Sequence, residues 1–502
     1  MADYGCQHGA EKRNRKSLYI LSFSAMISLF HKDDNSVRKQ ERNRNSVTYK
    51  EARVYLDELS KYGSVLGLDA IRGLLRELGN PQDDLRFIHI AGTNGKGSVL
   101  AYTSTILSEA GYRTGRYVSP TVISYLERIQ VDGAWISEEK FAEMTSQVTD
   151  AIARLEEAGR PVPTVFEAET AIAFLYFREM KCDLVVLEAG LGGALDATNI
   201  IKNTVCAVFS SISRDHVGVI GNTIEEIAEN KAGIIKPGCT VLSAEQLPPV
   251  TGILKTRAAE CGCSFTQASS DQALILQSDH RGILLSYKEF DHIHTSMAGS
   301  YQTDNLITAL EVIRALKTLG YDINSQAVRD GAEHAAWPGR FTCIGEPPVF
   351  ILDGAHNEDA ALRLRETVED YFPGRELHFI MGVFKDKDYN AITRIMCPLA
   401  SSVYTVDLPD QGRGLPAQEL ARAVRPHCPH VRAYTGSGAS VRRAVTSALQ
   451  EAGPEDVILA FGSLSYLHQV KEAYDRAVTG GNKTAADGNS SCLSGKERGR
   501  DF

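Results

Sequence analysis

The residues best suited to chemistry lie in one stretch, RFIHIAGTNGKGSVLAYTSTIL, at positions 86–107. Glycines in such a loop let backbone N–H groups turn toward phosphate oxygens, and the N-terminus of a following helix adds positive potential. Lys96 would supply a point charge to the β- and γ-phosphates, and Ser98 a hydroxyl near a metal ion. We therefore predict a phosphate-binding loop made of Gly92, Thr93, Asn94, Gly95, Lys96, Gly97 and Ser98.

This loop departs from the strict P-loop pattern at two positions. Ile90 stands where the pattern has its first glycine, and Gly97 separates Lys96 from Ser98. A glycine-rich turn that binds nothing is the alternative. The flanking elements favour phosphate binding, because residues 87–91 predict a strand and residues 99–107 predict a helix that ends near Gly111.

Two further apolar runs end in polar side chains. The run DLVVLE at 183–188 lacks alternation, which is typical of a central parallel strand, and it ends at Glu188, where a metal-binding carboxylate would stand. A strand predicted over 205–212 leads to Asp215 and His216. A histidine there more often packs or caps than binds Mg²⁺, so its role stays open on the pattern alone.

Lys231 is out of place on a predicted helix that follows the cap residue Thr223 and the capping-box residue Glu226. The pattern alone favours a lysine stem that extends to solvent. The alternative is a lysine drawn into the site and chemically modified. Its apolar neighbours on the helical stripe are Ile224, Ile227, Ala228, Ile234 and Ile235.

Composition limits the possible functions. A chain of 502 residues indicates more than one domain, and a net charge of -9 with no basic stripe argues against nucleic-acid binding. The apolar run at 18–30 is too short to cross a membrane. Ten cysteines, of which only Cys261 and Cys263 are close in sequence, show no zinc spacing. We therefore expect a reduced, cytoplasmic protein without a membrane partner.

The chain reads as four segments. Residues 1–46 predict a disordered extension and 479–502 a disordered tail. Between them, 47–337 predict the phosphate-binding domain and 338–478 a second βα series, with a hinge at 337–340. Alternating strands and helices predict an α/β fold with parallel sheets in both halves. Helices are predicted at 49–59, 67–78, 138–158, 164–180 and 305–319, strands at 349–353, 378–382, 403–407 and 457–461, and only weak strands and turns over 240–290.

These motifs, in this order, resemble the folylpolyglutamate synthase/dihydrofolate synthase family of the Mur ligase superfamily, over roughly residues 47–475. Each motif alone is weak, whereas their order and spacing are specific. The motifs are GTNGKGS (92–98), ERI (127–129), LEAGLGGALDATN (187–199), DHVGVIG (215–221), ENKAGIIKPG (229–238), PGRF (338–341), DGAHN (353–357) and GS (462–463).

The resemblance implies an ATP-dependent amide ligase with an N-terminal P-loop NTPase-like parallel-sheet domain and a smaller Rossmann-like C-terminal domain. It implies two Mg²⁺ ions, with Ser119, Glu188 and His216 as ligands. Lys231 matches the lysine that the superfamily carbamylates. Asn305, Arg340, Asp353 and His356 match residues that handle ATP, and Lys96, Lys231, His216 and Arg340 would carry the catalysis.

The resemblance also implies that Glu167, Leu195, Asp196 and Ala197 lie on the pteridine side of the site. The alternative for Glu167 is a carboxylate in the first turn that stabilises a helix N-terminus. The chain departs from the family at two histidine positions. Thr121 follows Ser-Pro, where the family often has His, and Tyr301 precedes Gln302, where it again often has His. The first departure affects the folate-side loop, while the second leaves Asn305 in place.

The reaction so implied joins L-glutamate to dihydropteroate or a reduced folate through an acyl phosphate made from ATP. We expect a monomer. Another Mur-type amino-acid ligase shares the chemistry, but LDATN and GTNGKGS fit the folate enzymes better. A regulatory GTPase lacks its guanine motif, since Asn482-Lys483-Thr484 is followed by Ala485. A non-catalytic nucleotide-binding protein would not need Glu188, His216 and Lys231 together.

Overall fold

The computed structural model describes residues 47–63, 67–215, 218–436 and 438–486. The predicted extension 1–46 therefore lies outside the described residues. The described residues divide into two compact units, one within 47–84 and 136–180 and the other within 85–135 and 181–486. Among the described helices, none combines the length and the apolar character needed to cross a membrane.

The helices are, in chain order, α1 (Tyr49–Leu59), α2 (Asp69–Glu77), α3 (Lys96–Glu109), α4 (Glu138–Glu157), α5 (Val165–Glu179), α6 (Ile224–Ala232), α7 (Pro248–Glu260), α8 (Ser300–Thr318), α9 (Ser325–His334), α10 (Glu358–Tyr371), α11 (Tyr389–Met396), α12 (Ala417–Val424), α13 (Ser440–Glu451) and α14 (Leu467–Ala486). The predicted tail begins at 479, but α14 continues to Ala486.

The strands are, in chain order, β1 (Phe87–Ala91), β2 (Thr114–Tyr117), β3 (Ile129–Val131), β4 (Ala134–Trp135), β5 (Leu184–Glu188), β6 (Thr204–Phe209), β7 (Thr240–Ser243), β8 (Ser264–Gln267), β9 (Ala273–Asp279), β10 (Gly282–Tyr287), β11 (Phe290–Thr295), β12 (Thr342–Gly345), β13 (Val349–Leu352), β14 (Leu377–Met381), β15 (Ser402–Val406), β16 (Val431–Tyr434) and β17 (Val457–Phe461).

The first unit is helical, built from α1, α2, α4 and α5. Polar residues cap two of its helices: Thr48 forms a capping box with Glu51 before α1, and Ser137 accepts a hydrogen bond from the N–H of Lys140 before α4. Apolar residues at helical spacing then fill its interior, including Leu56, Ile71, Leu74, Phe141, Val148 and Leu155.

The second unit contains an eight-stranded sheet with the order β4-β3-β2-β5-β1-β6-β7-β8. Its strands run parallel except at β3 and β4, which pair antiparallel at one edge. β1 and β5 are buried along their whole length, as their continuous apolar runs predict. The register sets Ile90 beside Glu188, so the phosphate loop and Glu188 emerge at the same carboxyl edge.

A separate antiparallel sheet with the order β11-β10-β9 follows α7. The prediction of only weak strands and turns over 240–290 is wrong for 248–260, which form α7, and it misses the three-stranded sheet. The apolar residues of α7 form no strong stripe, and its start is set by Leu247 and Pro248 rather than by a polar cap.

A six-stranded sheet with the order β12-β13-β17-β14-β15-β16 carries the second βα series. It is parallel except for the β12–β13 pair. The strand predicted at 457–461 matches β17. β13 ends one residue earlier than predicted, and β14 and β15 each begin and end one residue earlier than predicted. The prediction of an α/β fold with parallel sheets in both halves is thus confirmed.

Candidate active site

The predicted phosphate loop joins β1 to α3. Gly95 has a φ of +88°, in the left-handed region that favours glycine, and α3 begins directly after it at Lys96, three residues earlier than predicted. No side chain caps this N-terminus. Its first N–H groups are therefore directed into the loop, where an anion could accept from them.

Three glycines of the loop leave no room for a side chain. A Cβ at Gly92 would lie 2.0 Å from Ser210 Oγ, one at Gly95 would lie 2.2 Å from Asn305 Oδ1, and one at Gly97 would lie 2.3 Å from Trp337 Nε1. Asn305 on α8 is thus held against the loop, where its amide also donates to Gln302 Oε1 at 3.0 Å. The indole of Trp337 packs directly on the first turn of α3.

Lys96 and Glu188 lie on either side of the loop. Lys96 Nζ donates to the carbonyl of Thr93 at 3.1 Å and lies 3.8 Å from Glu188 Oε1. The N–H of Ser119 donates to Glu188 Oε2 at 3.2 Å. Burial raises the pKa of Glu188, while the charge of Lys96 lowers it. A carboxylate this buried, with its ammonium partner beyond hydrogen-bond distance, is suited to a second cation.

The predicted metal ligands fit magnesium in part. Ser119 and Glu188 offer hard oxygen donors, which are the ligands that Mg²⁺ prefers. His216 lies outside the described residues. Within the ranges that the structure describes, no group of three or more His, Cys, Asp or Glu side chains is arranged to hold a metal ion. The fit therefore depends on one carboxylate and one hydroxyl beside the phosphate loop.

Lys231 points into the protein. Its residue is 4% exposed, and its Nζ donates to the carbonyl of Gly92 at 2.7 Å. Burial first, and the charge of Lys96 second, lower the pKa of Lys231 to about 7. The preference for a stem that extends to solvent is therefore wrong. Ile227 and Ala228 of the same stripe are buried as well, so the stripe itself was correctly placed.

Asp353 lies in the loop after β13 and accepts three hydrogen bonds. Its Oδ2 accepts from Tyr301 Oη at 2.6 Å and from the N–H of Phe341 at 2.9 Å, and its Oδ1 accepts from the N–H of Ala355 at 2.8 Å. Burial raises the pKa of Asp353, although the three hydrogen bonds act to lower it. Tyr301, the residue that departs from the family pattern, thus ties α8 to this loop.

His356 follows in the same loop. Its Nδ1–H donates to the carbonyl of Gly354 at 2.8 Å, so the neutral ring keeps Nε2 as an acceptor. Burial first, then the charge of Lys387, lower the pKa of His356 to about 4. Arg340 lies beside the loop, because a Cβ at Gly354 would come 2.3 Å from its Nη1.

Polar contacts connect the phosphate loop to the loops of the six-stranded sheet. Asn94 Nδ2 donates to Asn357 Oδ1 at 3.3 Å and to Asp359 Oδ2 at 2.8 Å. Asn357 Nδ2 donates in turn to Asp215 Oδ2 at 3.3 Å. Lys387 Nζ bonds the other oxygen of Asp215 at 3.0 Å. Asp215 therefore lies between the two sheets, with Lys387 as its cation.

Most of these groups line one cavity of about 1520 Å³. Its lining contains the whole predicted phosphate loop and most of the other predicted site residues, namely Ser119, Glu188, Lys231, Asn305, Arg340, Asp353 and His356. Residues separated by more than 250 positions thus meet at the carboxyl edges of two parallel sheets.

The predicted pteridine residues are not part of this lining. Leu195 is 48% exposed, and Asp196 is buried, where it accepts from the N–H groups of Leu191 at 2.7 Å and Thr198 at 3.0 Å. Glu167 belongs to the first unit. Its carboxylate accepts from the N–H groups of Thr164 and Ile71, at 2.7 and 3.1 Å, and so forms a capping box.

Sequence reasoning missed several lining residues. Lys387 and Arg413 follow β14 and β15, and the only available signal was their place after parallel strands. Asp215 stands beside His216 in the sequence, and that position alone indicates no role for it. Arg413 lies over the ring of Phe384 at 4.5 Å, and the backbones of the two loops bridge at Phe384 and Gly414.

Known proteins resemble the chain over most of its length. The dihydrofolate synthase/folylpolyglutamate synthase of Bacillus subtilis is 36% identical over 366 residues, which cover 71% of this chain and 84% of the relative. The chain belongs to the folylpolyglutamate synthase/dihydrofolate synthase family. An Escherichia coli member with the same name is 30% identical and covers 85% of the chain and 96% of that relative.

Two family models match the chain, one after the other. The Mur ligase middle domain matches residues 90–313, and the Mur ligase glutamate ligase domain matches residues 339–464. Membership makes the chain an ATP-dependent ligase of the Mur ligase type. The cell-wall, GTPase and non-catalytic alternatives are not favoured.

Solved structures of the family share the fold. The folylpolyglutamate synthase of Mycobacterium tuberculosis complexed with ADP and AMPPCP superposes with a TM-score of 0.74 at 29% identity, over 86% of this chain and 99% of that one. The Escherichia coli protein in complex with DHPP and ADP gives a TM-score of 0.73 at 28% identity, over 86% and 98%.

Proposed function

We propose that the protein joins L-glutamate to a carboxylate of dihydropteroate or a reduced folate, with ATP converted to ADP and phosphate. The observation that carries this proposal is the cavity that holds the phosphate loop, buried Lys231 and the loops after β13 and β14 together. A ligase needs its nucleotide, acid and amine in one enclosed space, because the activated acid must meet the amine before water.

ATP would bind along the loop and α3. The N–H groups from Gly92 to Ser98 and the ammonium of Lys96 would hold the phosphates, with Arg340 on their far side. Asn305 would contact the nucleotide from α8. Asp353 would accept from the ribose, and His356 would present its Nε2 acceptor to the same ligand.

A divalent cation would be held by the Ser119 hydroxyl and the Glu188 carboxylate, with His216 as the further ligand that the family resemblance implies. When bound, it would neutralise part of the triphosphate charge. The buried, raised-pKa carboxylate of Glu188 supports this assignment. Two magnesium ions remain the expectation of the resemblance.

Lys231 would be present as a carbamate. A pKa near 7 leaves a large share of its amine neutral at neutral pH, and a neutral amine adds CO₂ with release of a proton. The product is an anion beside Lys96, whose charge then stabilises the group rather than repelling it. This conversion accounts for a lysine on a buried stripe.

L-Glutamate would bind at the loops after β14 and β15. Lys387 and Arg413 are cations that line the cavity there, and they suit the two carboxylates of the amino acid. Asp215, which Lys387 contacts at 3.0 Å, would accept from its ammonium. The family model for this region is a glutamate ligase domain, which supports the placement.

The chemistry then needs two transfers. An oxygen of the pteroate carboxylate attacks the γ-phosphorus, ADP leaves, and an acyl phosphate forms. The amine of glutamate, having lost a proton, attacks the acyl carbon, and inorganic phosphate leaves as the amide forms. Lys96 and Arg340 stabilise the negative charge as it moves between oxygens. Lys387 and Arg413 bind the carboxylates of glutamate and so position its amine for the attack.

The pteridine would lie toward Leu195, Asp196 and Ala197. Gly190, Leu191 and Gly192 extend from the cavity lining to this loop, and Asp196 fixes them through the N–H of Leu191. The role of Glu167 in this site stays a prediction.

We further propose that 47–337 form the ATP-binding domain and 338–478 the ligase domain. The monomeric state and the cytoplasmic location stay predictions.

The test is a product analysis. Purified protein is given ATP, L-glutamate and either dihydropteroate or tetrahydrofolate, and the products are read by mass. We expect an acceptor heavier by one glutamyl residue, formed together with ADP. ATP hydrolysis that is independent of any pteridine would contradict the proposal.

The proposed glutamate site is tested separately, with one substitution and a matched control. Lys387→Met is expected to raise the KM for glutamate by about tenfold or more, because it removes a charge-assisted bond. The matched control is Lys385→Met, since Lys385 lies two residues away and donates instead to the carbonyl of Gly412 at 3.2 Å. Equal effects of the two substitutions would show that Lys387 does not contact glutamate.

A further inference from the structure

Two cysteines lie side by side near the edge of the eight-stranded sheet. β7 and β8 run parallel, with Thr240 opposite Ser264. Cys239 and Cys263 each come one residue before these partners. Their Sγ atoms are 3.7 Å apart, and both are free thiols. The pair that is close in sequence, Cys261 and Cys263, is thus not the pair whose sulfurs meet.

The backbone positions suit a disulfide bond. Neighbouring strands lie about 4.8 Å apart, and register partners in a parallel pair direct their side chains to the same face. A disulfide requires a Cα separation of roughly 4.4–6.8 Å, and the usual spacing between neighbouring strands falls within this range, so we expect the bond to form without a shift of the strands. Rotation of the two side chains would close the remaining gap between the sulfurs.

The two thiols differ in access. Cys239 is 3% exposed, and burial raises its pKa to about 12. Cys263 is partly exposed, and its thiol donates to the carbonyl of Lys236 at 3.2 Å. A reagent from solvent would therefore meet Cys263 first. Cys239 would then act as the resolving thiol from inside the sheet.

We propose that Cys239 and Cys263 form an oxidation site that a small disulfide, such as oxidised glutathione, converts to a protein disulfide. The Cys263 thiolate attacks one sulfur of the reagent and releases one glutathione thiolate. Cys239, losing its proton, attacks Cys263 in the mixed disulfide and releases the second glutathione. Two protein thiols are oxidised, one reagent disulfide is reduced, and the two thiol protons end on the glutathiones.

A short series of hydrogen bonds connects the cysteine pair to the loop of residues 194–199. Cys263 donates to the Lys236 carbonyl, and Lys236 Nζ donates to the carbonyl of Asn199 at 3.1 Å. Asn199 Nδ2 in turn donates to the carbonyls of Ala194 and Gly233, at 3.0 and 3.1 Å. Oxidation removes the thiol hydrogen from this series. If the pteridine binds at this loop, as proposed above, its KM should rise about two- to fivefold while the KM for ATP is unchanged.

The test uses the full-length protein in reduced or oxidised glutathione, followed by alkylation and trypsin. The relevant peptides span 232–255, with Cys239, and 258–281, with both Cys261 and Cys263. We expect oxidised protein to yield these two peptides joined, with fragmentation placing the bond at Cys263. We also expect oxidised protein to melt at a higher temperature, because the bond closes a loop in the unfolded chain.

Three variants decide between the cysteines. Cys261→Ser should keep the cross-link, whereas Cys239→Ser and Cys263→Ser should lose both the cross-link and the rise in melting temperature. A bond between Cys261 and Cys263, a stable glutathione adduct on Cys263, or unmodified thiols would each overturn the proposal. The mass readout does not depend on activity, so its failure is distinct from a failure of the proposed ligase reaction.

Discussion

Replacing Lys231 by methionine should separate stability from activity. The ordinary pKa of 10.5 falls to about 7 in the fold, which corresponds to a penalty on the order of 5 kcal/mol against the ammonium. Lys231→Met removes that penalty together with the bond to the carbonyl of Gly92, which is worth about 1 kcal/mol. We therefore expect the unmodified variant to be more stable than the unmodified parent at neutral pH, by up to about 4 kcal/mol.

The sign of the pH dependence follows from the same values. Between pH 7 and 10.5 the unfolded chain binds a proton at Lys231 that the folded chain does not, so the free energy of unfolding of the parent rises with pH in this window. The variant should lack that slope. Urea unfolding at pH 7 and pH 9 in CO₂-free buffer measures both quantities.

Activity should change in the opposite direction. Lys231→Met and Lys231→Ala should lose ligation by about 100-fold or more, since they lack the carbamate that would hold the second Mg²⁺ ion at the phosphates. A small carboxylate in excess should partly restore Lys231→Ala, while Lys231→Arg should stay inactive, because guanidinium remains positive. Full activity of Lys231→Arg, or equal pH slopes in parent and Lys231→Met, would refute the reasoning.

Three further outcomes are expected. Lys96→Ala should abolish ligation while circular dichroism and melting temperature stay near those of the parent, and near-normal turnover would remove Lys96 from the phosphate site. Tyr301→Phe should raise the KM for ATP by about tenfold, because Asp353 loses a charge-assisted bond; an unchanged KM would place Asp353 away from the nucleotide. Deleting residues 1–46 should leave turnover and melting temperature nearly unchanged, and loss of soluble protein on truncation would contradict this.

The sequence predicts the parts of the fold that rest on local pattern. Continuous apolar runs located β1, β5 and β17, and the glycines located the turn into α3. The pattern could not locate α7, whose apolar residues are too scattered to mark a helix. It also missed the pairing of β9, β10 and β11, because the pairing of such short strands depends on their partners rather than on periodicity alone.

Some residues of the candidate site can likewise be predicted from local pattern, whereas others depend on partners far away in the sequence. Lys96 and Glu188 were predictable because each follows a recognisable strand. Lys231 was placed on the right stripe, but its direction depends on the Gly92 carbonyl, 139 positions away, which accepts from it. Lys387 joins the site only because Asp215, 172 positions away in sequence, lies beside the carboxyl edge of the other sheet.

The packing of Trp337 on Gly97 gives the protein an intrinsic fluorophore at its nucleotide loop. The chain has two tryptophans, of which Trp135 is 42% exposed and Trp337 is 7% exposed. Blue-shifted emission would therefore come chiefly from Trp337, and an external quencher such as iodide would act chiefly on Trp135. Any nucleotide that moves the first turn of α3 should alter the emission of Trp337, so occupancy of the loop can be followed in real time without a label.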